Sequence, residues 1–209
     1  MRSDQMSDLV ESRADSTLAE FTADVCRRLA SGLLDRTGDD LRDLVAREVD
    51  GLRAALSDPS FLDAADAPSD PPFVSPKGYT TINTNPVTSR RNPLAPLVAI
   101  ERDGDVVEMT TTLSLPYQGP RGRVHGGYAA VLLDHVLWHA VRSRLDSVSF
   151  TRSLTITYEQ ALPIGTELTM TGRVTEIDGR KTFAAGEIKA GDVVCVRGEG
   201  LWVSPRPRT

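Results

Sequence analysis

His125, Gly126, Gly127 and Asp134 are the residues of this sequence whose types and spacing could do chemistry. Two consecutive glycines stand just before an apolar run, Ala129 to Val141, and a carboxylate stands inside that run. Glycine within a helix costs roughly 1 kcal/mol relative to alanine, so the pair is expected at a helix start. There the first backbone N–H groups have no intrahelical partner and the dipole is positive. With no side chains in the way, a ligand oxygen can approach those N–H groups, and a carbonyl oxygen gaining negative charge would be stabilised. Asp134 supplies the other half of a hydrolytic pair, a base or a nucleophile.

The element that must position these groups is the apolar run itself. It has helical length and Ala/Leu content, and it is apolar nearly all round, the mark of a buried helix. A carboxylate buried there without a partner is costly, so Asp134 calls for a reason. Nine residues of helix span about 13 Å. Gly126 and Asp134 of one chain therefore cannot reach the same carbonyl carbon. A two-fold dimer is expected, the helix start of one protomer facing Asp134 of the partner subunit, with two composite sites.

His125-Gly126-Gly127 with Asp134 nine positions after the histidine carries a resemblance, and so do the stretches Thr151-Arg152-Ser153-Leu154-Thr155-Ile156-Thr157-Tyr158 and Ala161-Leu162-Pro163-Ile164-Gly165. Together they resemble the hotdog-fold thioesterases of the phenylacetate-degradation (PaaI) type and the human thioesterase superfamily member 4 group. The resemblance covers residues 92 to 203, roughly, and not residues 1 to 75. It implies an α+β hotdog fold, an antiparallel sheet curled around one long central helix. It implies hydrolysis of an acyl-coenzyme A thioester without a cofactor, by a homodimer or homotetramer. In that group a glycine N–H polarises the thioester carbonyl, the aspartate acts as base or nucleophile, and a downstream threonine positions the attacking group. Here those positions are Gly127, with Gly126 as a second donor, Asp134 and Thr151. His125 joins the candidate catalytic residues through its place at the glycine turn. It either orients the loop by a side-chain hydrogen bond or caps the helix, and it is not read as the general base.

The rest of the sequence narrows the function further. The chain has 209 residues, enough for one domain with a sizeable core plus an extension. It contains no apolar run of about 18 residues, so no membrane span is expected. Met1 to Glu11 is polar and lacks the pattern of a signal peptide. Cys26 and Cys195 lie far apart in no metal-ligand spacing, which suits reduced thiols in a cytoplasmic protein. The net charge of −5 hides an asymmetry, −8 over residues 1–70 and +3 over residues 71–209. The mildly basic part suits an anionic ligand such as coenzyme A and is too weak to argue for nucleic acid.

Three regions follow along the chain: an N-terminal helical extension over 1–70, a Pro-rich wrapping segment over 71–96 and a hotdog thioesterase domain over 97–205. Leu18, Phe21, Val25, Leu29 and Leu33 predict an amphipathic helix over 15–35, with a capping box from Thr17 and Glu20. Leu41, Leu44, Val45, Val49, Leu52 and Leu56 predict a second over 39–56, and Gly38 marks the turn of a helical hairpin. The hairpin either packs against the domain or its dimer partner, or acts as a lid. Eight prolines between 57 and 96 exclude regular structure, yet Phe73, Val74, Tyr79 and Ile82 suit a segment that wraps a surface. Strands are expected at 97–102 and 106–115 about an Asp103-Gly104-Asp105 turn. Further strands are expected at 147–159, with Leu154, Ile156 and Tyr158 on a buried face, and at 165–178, 181–189 and 193–203. Gly198 and Gly200 are read as marking a bulge.

Arg90, Arg91 and Asn92, and Arg123 beside the glycine turn, are candidates for the phosphates of coenzyme A, the alternative being solvated loops. Tyr128, Leu132, Trp138 and Phe150 are candidate walls of an acyl pocket. His135 and His139 stand four apart on the helix, a spacing that can bind a metal, but no further ligand accompanies them in register and no metal site is assigned. A dimer seam or helix surface is the commoner setting for such a pair. No Gly-x-Ser-x-Gly elbow, phosphate loop or dinucleotide fingerprint is present. The alternative function is a non-catalytic acyl-coenzyme A-binding or regulatory protein on the same fold. A hydratase would use an acid/base Asp–His pair in a motif not found here.

Overall fold

The computed structural model describes residues 17–59, 61, 85–145 and 149–206. The polar N-terminus and the residues Phe73, Val74, Tyr79 and Ile82 lie outside the described residues. The described residues divide between Ala95 and Pro96 into two compact units.

The first unit is a helical hairpin, α1 (Leu18–Asp35) and α2 (Gly38–Leu56). Its start follows the expected capping box: Thr17 Oγ1 accepts from Glu20 N–H and Glu20 Oε2 accepts from Thr17 N–H, each at 3.1 Å. Gly38, with φ 58, opens α2 in a conformation that favours glycine. The helices approach closely at Gly32, where an added Cβ would lie 2.0 Å from Leu44 Cδ2. Arg28 on α1 donates from Nε and Nη2 to Glu48 Oε2 on α2, at 3.1 and 2.8 Å. Burial works to raise the Glu48 carboxyl, but Arg28 and Arg47 more than offset it and hold the group below its ordinary value.

The second unit is a six-stranded antiparallel sheet and one long helix, α3 (Gly126–Arg144). The strands are β1 (Ala99–Asp103), β2 (Val106–Thr112), β3 (Phe150–Tyr158), β4 (Glu167–Asp178), β5 (Lys181–Ala190) and β6 (Val193–Val203). Their order across the sheet is β1-β2-β4-β5-β6-β3. The sheet curls around α3, as the hotdog resemblance implies. On β2, Val107, Met109 and Thr111 are buried between exposed or half-buried neighbours, the alternation of a strand with one covered face. β1 starts at Ala99 rather than Leu97 because Leu97 takes a left-handed φ of 57 that a strand does not accept.

Leu133, Val136, Leu137, Ala140 and Val141 of α3 are fully buried. Glycines on the sheet let the helix approach. Gly172, Gly186 and Gly198 are paired in register across β4, β5 and β6. An added Cβ would lie 3.1 Å from Val136 O at Gly172, 3.0 Å from Leu137 Cδ2 at Gly186 and 3.0 Å from Leu133 Cδ1 at Gly198. This corrects the reading of Gly198 and Gly200 as a bulge. Both pair regularly with β3 and β5, and a Cβ at Gly200 would lie 2.4 Å from the Trp202 ring. The irregularities fall instead beside Thr151 on β3, opposite Cys195 on β6, and on β4 between Val174 and Glu176. A second correction concerns β3. It begins at Phe150 and carries no buried face within the chain, Phe150 being 62% and Tyr158 54% exposed, because it lies at the end of the sheet, where α3 gives it little cover.

Candidate active site

Helix α3 starts at the glycine pair. His125 is its N-cap, with extended backbone (φ −63, ψ 131). Its Nδ1 accepts from the Gly127 N–H at 3.0 Å, so the ring proton sits on Nε2. The two open readings of His125 thus meet in one contact, a cap that also holds the turn. Gly127 N–H is spoken for, whereas Gly126 N–H has no acceptor among the described residues. The carbonyl of Gly126 accepts from the Tyr158 hydroxyl at 2.9 Å. The tyrosine lies close over the glycine: an added Cβ on Gly126 would meet Tyr158 Oη at 3.2 Å and the ring at 3.3 Å.

A cleft of about 500 Å³ opens beside this turn, lined by Arg123, Gly126, Ala129, Tyr158, Leu162 and Val196 among others. Leu162 belongs to the Ala161-Leu162-Pro163 stretch, and its carbonyl accepts from Val124 N–H at 2.9 Å, tying that loop to the residues before the helix. Tyr128 is half-buried, edge-on to Tyr117 with ring centroids 4.8 Å apart.

Asp134 lies eight residues further along α3 than Gly126 and is half-buried. Thr151 Oγ1 donates to Asp134 Oδ1 at 2.9 Å. Burial raises the Asp134 carboxyl above its ordinary value and the Thr151 bond works in the opposite direction. The β3 irregularity between Thr151 and Ser153 explains how Thr151 reaches the helix. Leu154, Ile156 and Tyr158 share one face of β3, and simple alternation would add Arg152 to it. One extra residue switches the parity and turns Thr151 toward Asp134.

The remaining candidates separate. Arg123 borders the cleft, and Phe150 is the exposed first residue of β3. Arg90, Arg91 and Asn92 belong to the first unit, where the carbonyls of Arg90 and Asn92 accept from Arg27 at 3.1 and 2.8 Å and Asn92 Oδ1 accepts from Leu94 N–H at 2.9 Å. Leu132 is buried at 2% exposure, and Trp138 packs against the His135 and His139 rings with Arg142 5.6 Å from its ring centre. The two histidines are not on a helix surface, being 8% and 1% exposed. Burial pushes His135 down to about 3, helped by His139, and His139 down to about 4, helped by Arg142. Among the described residues no group of three or more His, Cys, Asp and Glu could hold a metal.

Tyr158 is the site residue that sequence reasoning missed. Its spacing marked it only as one more member of the Leu154–Ile156 face. Its partner is 32 residues away, and only the fold brings the two together.

Comparison with known proteins supplies the family. A solved structure described as a thioesterase superfamily protein is 37% identical, covers 88% of this chain and is itself 94% covered, with a TM-score of 0.66. The chain belongs to the thioesterase superfamily. The model of that superfamily matches residues 121–197, the stretch from the glycine turn into β6. The acyl-coenzyme A thioesterase THEM4 of Xenopus laevis is 32% identical over 78 residues, which are 37% of this chain and 35% of that protein. The chain thus spans about a third of that relative's length. The solved PaaI protein of E. coli, from the phenylacetic acid degradation operon, is 19% identical over 52% of this chain and 80% of its own, with a TM-score of 0.49. Among the described residues, no helix of this superfamily member is long and apolar enough to cross a membrane.

Proposed function

We propose that this thioesterase superfamily member hydrolyses an acyl-coenzyme A thioester, working as a homodimer with two composite sites. The observation that carries the reading is the hydrogen bond from Thr151 to the half-buried Asp134 on a helix whose first N–H, that of Gly126, is open. The thioester oxygen accepts from Gly126 N–H, at the positive end of α3. Sequence reading alone favoured Gly127, but its N–H already serves His125. The length of α3 between Gly126 and Asp134 supports a site in which Asp134 of the partner subunit acts on the carbonyl held by Gly126.

Asp134 takes a proton from water as the water oxygen adds to the carbonyl carbon. The oxyanion then collapses, the C–S bond breaks, and the coenzyme A thiolate takes up the proton to leave as the thiol. In the covalent variant, Asp134 adds first, expels the thiolate to give a mixed anhydride, and water then cleaves that anhydride. Both routes consume one thioester and one water and yield one acid and one thiol. Thr151 orients the attacking group through its bond to Asp134. Arg123 at the cleft is the proposed contact to coenzyme A, with Tyr128 and Phe150 toward the acyl group. The unpaired Cys26 and Cys195 suit a cytoplasmic setting. Coenzyme A release by wild type and by Asp134→Asn tests the reading.

A further inference from the structure

The first turn of α3 is held at both ends of a single peptide group. The Gly126–Gly127 peptide presents its carbonyl to the Tyr158 hydroxyl at 2.9 Å and its N–H to His125 Nδ1 at 3.0 Å. The histidine ring reaches from residue 125 to residue 127, so it brackets Gly126. The next turn adds to the hold, since the His125 carbonyl accepts from Tyr128 N–H at 2.9 Å. Two adjacent glycines would otherwise form the most pliable point of the helix. A donor that stabilises developing charge works best when its direction is fixed before the reaction.

We propose that Tyr158 is a positioning residue for thioester polarisation. Together with His125 it locks the Gly126–Gly127 peptide, commits Gly127 N–H to the protein, and leaves Gly126 N–H as the donor presented to the ligand. This inference rests on the thioesterase reading for its kinetic consequence and not for the clamp itself. Tyr158 does not touch the reacting atoms. Its ring also lines the cleft beside Gly126, and ring and hydroxyl therefore have separable effects.

The test uses the full-length chain with hexanoyl- and phenylacetyl-coenzyme A as probes. Tyr158→Phe keeps the ring and removes the hydroxyl. It is expected to lower kcat about tenfold, the scale of one lost hydrogen bond, with KM within about twofold. His125→Ala is expected to lower kcat similarly. His125→Asn, whose side chain can cap the same N–H, should restore much of it. The clamp is read independently from exchange of ¹⁵N-glycine amides in the unliganded protein. Gly127 should be protected, Gly126 should exchange freely, and Tyr158→Phe should speed exchange at Gly127. A Tyr158→Phe enzyme with wild-type kcat would overturn the proposal, as would a Gly127 amide that exchanges equally fast in wild type and variant. Wild type that hydrolyses no ester of a panel spanning short, long and aromatic acyl groups would defeat the thioesterase reading instead, while the exchange measurement still judges the clamp.

Discussion

Thr151 donates its hydroxyl hydrogen to Asp134 Oδ1 at 2.9 Å, from the edge strand β3 to the central helix α3. The two residues are 17 apart in sequence and meet because one extra residue on β3 turns Thr151 toward α3. Thr151→Val keeps the shape and removes the donor. It should lower kcat about tenfold while leaving the melting temperature nearly unchanged, since Thr151 is exposed. Steady-state kinetics beside a thermal melt checks this.

The same pair sets a pH dependence. Burial raises the Asp134 carboxyl and Thr151 restrains that rise. Asp134 must be ionised to act, so the acid limb of kcat/KM should lie above the ordinary value of an aspartate. In Thr151→Val the limb should move to higher pH, because the bond favouring the ionised form is gone. A limb moving to lower pH would contradict this assignment.

Asp134 also bears on stability. A carboxyl raised in the folded state binds more protons there than in the unfolded state, so stability falls as pH rises from the ordinary carboxylate value through the raised one. Asp134→Asn should therefore melt higher than wild type at pH 7. The difference should shrink as pH falls below the ordinary carboxylate value.

His135 acts in the opposite direction. Its ring is pushed from 6.5 to about 3 by burial, then by His139. The unfolded chain takes up the proton first, so stability is lost as pH falls from about 6.5 toward about 3. At about 1.4 kcal/mol per unit the loss is on the order of several kcal/mol. Denaturant melts at pH 7 and pH 5 should show it, and His135→Leu should flatten the slope.

The glycine row under α3 makes a packing prediction. Gly186→Ala would place a Cβ 2.1 Å from Thr171 O, a backbone atom that cannot swing aside. Urea unfolding should show a loss of about 1–3 kcal/mol. Gly104→Ala should be milder: its Cβ meets nothing within 4 Å, and only its positive φ of 56 opposes the change.

Much of this architecture could be read from periodicity. The spacing of Leu18, Phe21 and Val25 and the Thr17–Glu20 box define α1 to within a few residues, and the Gly104 and Gly191 turns delimit their hairpins. Local rules failed where tertiary context decides. Leu97 is extended by composition but left-handed in the fold. Gly198 and Gly200 answer to Leu133 and Trp202, not to strand geometry. At the site, the Gly126 and Asp134 spacing was legible because helix rise is fixed. Thr151 came from family resemblance, since alternation alone would have pointed Arg152 at the helix. Tyr158 was hidden because its partner is a backbone carbonyl, and a backbone carbonyl leaves no mark in a sequence.

The central claim is tested most directly by coenzyme A thiol release from a panel of short, long and aromatic acyl-coenzyme A esters, with wild type and Asp134→Asn side by side. Wild type should release thiol from at least one ester, and Asp134→Asn, folded to the same oligomeric state, should be slower by about 10²–10⁴-fold. An Asp134→Asn protein that releases thiol at the wild-type rate would contradict the account.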